Sequence, residues 1–204
     1  MNFLAHIQLA CHSDQAMLGA FLGDFVGPEG ARHLGAPVAE EIQLHRAVDR
    51  YTDSHPLVRE TRQLCQPANR LFARIALDVY YDYFLTKHWH RHCSKSIDSV
   101  VDRFYDTLSR RFDALPEKAR RVGESVVSRD WLRSYSSHDQ VSHAVARIAL
   151  RLSRKRQHLI DAMAELRAQS AQVEAGFIAF YPQLQRHIGE MRWRQRSLKR
   201  QQSG

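Results

Sequence analysis

An all-α fold in a single compact helical domain is what this sequence predicts, and three observations carry the prediction. Apolar residues recur at spacings of three and four through most of the chain, the period of a helix with one buried face. No sustained alternating run argues for a strand. The chain has 204 residues, 44% of them hydrophobic, enough for one sizeable core and within the range of one domain rather than two. The domain is expected over residues 1–192, with 193–204 a basic, disordered tail.

The elements follow from local signals. Pro37 fits the first turn of a helix, which must end before His55-Pro56, because the residue ahead of a proline is pushed out of the helical region. A second long helix is expected over residues 69–88. Further helices are expected near residues 96–112, 116–133, 137–155 and 158–172, with a last segment on either side of Pro182. The chain shows no internal repeat and no low-complexity segment beyond the basic tail.

No stretch approaches the roughly 18 consecutive apolar residues of a membrane span, and no basic segment followed by an apolar run opens the sequence. A soluble cytoplasmic protein is the expectation. Cys11, Cys65 and Cys93 are odd in number and far apart, without a Cys-x-x-Cys pair, and read as ordinary reduced thiols. The net charge of +8 favours an acidic partner: nucleic acid, an anionic membrane surface or an acidic protein. Much of that excess sits in the runs 151–156 and 192–200, a pattern more typical of a solvated face than of a binding site.

The informative residues are charged ones in apolar registers. Leu71, Ile75, Asp78, Asp82, Leu85 and Trp89 form one stripe, so the packing that buries the leucines also turns Asp78 and Asp82 inward. Two neighbouring buried carboxylates repel each other and need a cation or a hydrogen-bond network. In the helix after Pro37, Val38, Ile42, His45 and Asp49 share a narrow sector, with Gln43, Arg46 and Arg50 on the solvent side. His45 and Asp49 can ligate a metal together, or the acid can orient the imidazole. Such a pair is also what a satisfied core hydrogen bond looks like. Two such faces in one domain, with His6 and Asp24 nearby in sequence, tip the reading towards a functional cluster. His88, His90 and His92 lack the spacing of helical metal ligands and read as a surface turn. Gly19, Gly23 and Gly27, four apart, suggest close helix packing or a turn near Asp24.

Several stretches resemble the acyl carrier protein phosphodiesterase family: Met1-Asn2-Phe3-Leu4-Ala5-His6, Phe21-Leu22-Gly23-Asp24-Phe25-Val26, Leu44-His45-Arg46-Ala47-Val48-Asp49, Thr52-Asp53-Ser54-His55-Pro56 and residues 77–85. The resemblance implies a manganese-dependent hydrolase, with Mg2+ or Fe2+ as other candidate ions, that removes 4′-phosphopantetheine from the serine of holo acyl carrier protein. That family is itself similar to the HD phosphohydrolases, all-helical enzymes in which a His, a His-Asp pair and a distant Asp hold one or two metals. On that mapping His6 stands for the first histidine, Asp24 for the paired aspartate, and Asp78 or Asp82 for the distant one. Gly23 takes the place of the paired histidine, which leaves His45 and Asp49 to complete the shell.

The chemistry implied is attack on phosphorus by a metal-activated water, with a serine alkoxide as leaving group. His45 or His55 is the candidate acid. His6, Asp24, Asp78 and Asp82 are the expected ligands, Asp24, His45, Asp49 and His55 the expected catalytic groups, and Arg46 and Arg50 the expected contacts to an acidic carrier protein. The alternatives are an HD-type phosphohydrolase acting on a nucleotide and, from another class, a helical nucleic-acid-binding protein without enzymatic activity.

Overall fold

The computed structural model describes residues 1–150, 152 and 155–202, and among them there is no strand. Eleven α-helices are described: α1 Phe3–Leu9, α2 Asp14–Leu22, α3 Pro28–Ala31, α4 Ala36–Ser54, α5 Pro56–Gln63, α6 Arg70–Lys87, α7 Ile97–Ser109, α8 Glu117–Ser128, α9 His138–Ala149, α10 Arg156–Ala168 and α11 Ser170–Gln202. The chain is therefore all-α, as its periodicity predicts. Serines cap three of the starts: the side chains of Ser13, Ser96 and Ser137 accept from Ala16, Ser99 and Gln140 N–H. His55 caps α5 in the same way, its ring accepting from Leu57 N–H, with Pro56 in the first turn.

The core forms where α6 runs through the centre, against α9 and α10 on one side and α1 and α5 on another. Tyr80, Tyr81 and Phe84 of α6 and Phe177, Phe180 and Tyr181 of α11 are fully buried. α2 lies along α4, and Gly19 permits the approach, since a Cβ there would come within 2.5 Å of the Val38 carbonyl oxygen.

Four expectations change. Leu71, placed in the buried stripe of α6, is 72% exposed, and Phe72, Ala73 and Ala76 turn inward instead. A stripe spaced at 3.5 drifts around a helix of 3.6 residues per turn, so its first member rotates off the core. The helix expected over 116–133 stops at Ser128 because Asp130 adopts the left-handed conformation (φ 47°). The one expected over 158–172 breaks after Ala168. The segment expected to divide at Pro182 is instead one helix, α11, continuous through the proline and as far as Gln202. Pro182 removes one backbone hydrogen bond, but Phe180, Tyr181 and Leu184 around it are buried and hold the helix in place.

That last change also corrects the expected disordered tail, since 193–202 continue α11. Arg192 pairs with Glu41 and Lys199 with Glu40, which fastens α11 to α4. Part of the expected 137–155 helix and of the 151–156 basic run lies outside the described residues.

Candidate active site

α4 and α1 meet with their histidine rings stacked: His6 and His45 have centroids 3.8 Å apart and planes 14° from parallel. Both side chains are almost fully buried. His45 Nδ1 lies 2.7 Å from the Ala20 carbonyl oxygen, so Nδ1–H donates there and Nε2 is left facing Asp24 Oδ1 at 3.4 Å and Asp49 Oδ2 at 3.3 Å. His6 Nε2 lies 3.2 Å from Asp49 Oδ1. Asp49 thus bridges the two imidazoles, one turn of α4 beyond His45.

Gly23 makes room for this packing, because a Cβ on it would fall inside the His45 ring. Two of the residues singled out from sequence are therefore one arrangement, the ring of His45 occupying the space a side chain at 23 would need.

Asp24 stands at the opening, its side chain half exposed. Asp78 reaches the cluster from α6 at the rim, 32% exposed rather than turned fully inward, and contacts the α-amino group of Met1 at 3.1 Å. The same amino group lies 3.2 Å from Asp49 Oδ1.

The electrostatics follow from these contacts. Burial works against a charged ring at His45, but the hydrogen bonds and charges of Asp24 and Asp49 outweigh it and push the imidazole up to about 9. Burial and the neighbouring His45 lower His6 to about 4. Asp49, although burial opposes its ionisation, is held well below the carboxylate range by both histidines and the amino group. Burial raises Asp78 above its ordinary value despite that amino group.

Two expected residues do not join the cluster. Asp82 is fully buried, and its two carboxylate oxygens accept from Leu4 N–H at 3.0 Å and Ala5 N–H at 3.1 Å. It anchors the first turn of α1, which carries His6. The ring of His55 is engaged on both nitrogens, by Leu57 N–H and by Gln183 Oε1 at 3.3 Å, and packs on Tyr51 and Phe180. Arg46 is half-buried and donates to the Val26 carbonyl at 2.6 Å, bracing the loop that carries Asp24, whereas Arg50 is exposed. The sequence offered no signal for the Ala20 carbonyl or the Met1 amino group, both backbone groups.

Among the described residues, His6, His45 and Asp49 bring one ligand atom each to within 4.8 Å of one another, a group that could hold a metal ion. Two imidazoles and a carboxylate suit first-row divalent metals, and the Nδ1–H bond to Ala20 fixes the tautomer that offers His45 Nε2.

An all-helical domain that gathers two histidines and a carboxylate on α1 and α4, with Asp24 and Asp78 at the rim, defines a helical protein with a candidate metal centre. The comparisons narrow the class. The family model described as acyl carrier protein phosphodiesterase matches residues 1–184. The acyl carrier protein phosphodiesterases of Salmonella agona and Salmonella newport are each 32% identical over 185 residues, 90% of this chain and 95% of theirs. That of Klebsiella pneumoniae is 32% identical over 190 residues, 91% of this chain and 96% of its own. The chain belongs to the acyl carrier protein phosphodiesterase family. No solved structure matches it.

Proposed function

We propose that this chain hydrolyses the phosphodiester between 4′-phosphopantetheine and the carrier serine of holo acyl carrier protein, releasing apo acyl carrier protein in the cytoplasm. The observation that carries the reading is the convergence of His6, His45 and Asp49 within ligand distance in a chain of this family. His6, His45 and Asp49 would hold a divalent ion, manganese first and Mg2+ or Fe2+ as alternatives, with Asp24 and Asp78 the nearest further carboxylates. Such an ion supplies Lewis-acid polarisation of the phosphoryl group and of water.

The remaining tasks fall to side chains. Asp49 spans the two imidazoles and fixes their spacing. Ala20 holds the His45 tautomer. Asp24, half exposed at the opening and kept ionised by His45, can accept the proton of an incoming water. The leaving serine oxygen needs a proton, and Asp78 at the rim, raised by burial, is the group suited to hold one. His55 is too fully engaged for that role, and Asp82 supports the site by anchoring α1. Arg50, exposed one turn along from Arg46, is placed to meet an acidic protein surface.

The test is conversion of holo to apo carrier protein by the purified chain with added Mn2+, followed by mass spectrometry. Asp49→Ala should lower turnover by more than about 100-fold with helical circular dichroism intact. No conversion by the wild-type chain under any of the three metals overturns the proposal.

A further inference from the structure

We propose that Cys11 and Cys93 form a reversible disulfide that ties the end of α1 to the segment following α6. The two lie far apart in sequence, which is why they read there as unrelated thiols, but the fold lays their segments side by side. Gln8 Nε2 donates to the His92 carbonyl at 2.8 Å, and Lys95 Nζ donates to the Cys11 carbonyl at 3.3 Å. Cys93 therefore sits between two ties that both end on residues 8–11. α11 fixes the same pairing from outside, since Tyr181 Oη donates to Gln8 Oε1 at 2.8 Å and Gln185 Nε2 to the His92 carbonyl at 3.0 Å. Arg103 Nη1 adds a bond to the Cys11 carbonyl at 3.2 Å. The two thiols are themselves side-chain hydrogen-bonding partners.

Access separates this pair from the third cysteine. Cys11 and Cys93 are both half-buried and within reach of a small oxidant. Cys65 is 1% exposed, and its Sγ donates to the Ala162 carbonyl at 3.7 Å. Burial and the neighbouring Cys93 raise the Cys11 thiol above its ordinary value, so Cys11 is better suited to resolve than to attack first.

With hydrogen peroxide as oxidant, the Cys93 sulfur attacks one peroxide oxygen, the O–O bond breaks, and Cys93 carries a sulfenic acid while one water leaves. The Cys11 sulfur then attacks the sulfenic sulfur, the S–S bond forms, and the hydroxyl leaves as a second water with the Cys11 proton. The thiol pair loses two electrons and two protons, and the peroxide is reduced to two waters. A small dithiol reverses the bond by exchange. Since α1 carries His6 and Asp82 of α6 already holds its first turn, the disulfide would restrain α1 from its other end.

The experiment treats the native full-length chain with a small excess of hydrogen peroxide, blocks free thiols with an alkylating agent, and maps tryptic peptides. The expected result is a linked pair of peptides, residues 1–32 with 92–95, lighter by two hydrogens than their sum, with Cys65 still a thiol. Oxidation should raise Tm, a dithiol should reverse both changes, and Cys93→Ser or Cys11→Ser should abolish the link and the rise. Separately over-oxidised or unmodified Cys11 and Cys93, or a bond formed only between two molecules, overturns the inference. Neither readout depends on the chain's activity.

Discussion

At Gly23 the missing side chain has a definite use, because its space holds the ring of His45. A methyl group there must displace either the ring or the backbone ahead of Asp24, and His45 has little freedom, stacked on His6 and bonded to the Ala20 carbonyl. Gly23→Ala is therefore expected to cut turnover by about 100-fold or more and to weaken metal binding, read by calorimetric titration. Unchanged metal affinity in a folded variant would show that the position of the ring does not matter to the site. The wheel reading of α4 found His45 and Asp49 because helical geometry fixes which residues share a face. It could not find that the Gly23 gap and His45 are complementary, since that depends on how α2 crosses α4, a tertiary fact with no local signal.

The same limit shows at Asp82, where periodicity correctly turned the residue inward but could not say what compensates it. The structure gives the compensation to the start of α1, whose orphan N–H groups the carboxylate accepts. Burial outweighs those two bonds and raises Asp82 to about 7. The folded state thus keeps this proton more tightly than the unfolded chain, whose ordinary value is about 3.9. The stabilisation from its protonated form is complete below about 4 and is lost as pH rises to about 7. Asp82→Asn cannot ionise and lacks that loss, so its Tm relative to wild type should rise steadily from pH 4 to pH 7. Asp82→Ala leaves both N–H groups unpaired and should destabilise by about 1–3 kcal/mol for each. A wild-type-to-Asn difference in Tm that is flat with pH would remove the buried carboxyl from this account.

Boundaries between elements were the least legible features, each for a particular reason. The end of α4 was readable because His55-Pro56 forces it, and the start of α7 because Ser96 caps it. The break at Asp130 needs a left-handed residue that an aspartate only sometimes supplies. At Pro182 the local rule failed because buried aromatic packing on α11 outweighs one lost hydrogen bond.

Across the whole molecule the net charge is +8, yet the candidate centre itself is rich in carboxylates, Asp24, Asp49 and Asp78. The two facts fit one substrate: a carrier protein with an acidic surface is drawn by the basic exterior, while the phosphodiester meets the carboxylates only with a cation between them. Long-range attraction acts on the encounter, so raising salt from low to moderate ionic strength should lower kcat/KM for holo carrier protein far more than kcat. A small pantetheine phosphodiester lacks the acidic surface and its binding energy, so it should be a poor substrate with little salt dependence. Arg50→Glu, on the exposed face of α4, should lower kcat/KM for the protein substrate and leave the small one unchanged. Steady-state hydrolysis of both substrates at two salt concentrations measures this. Equal kcat/KM for the two, or a protein reaction indifferent to salt, would remove the carrier surface from recognition while leaving the metal-dependent cleavage of a phosphodiester intact.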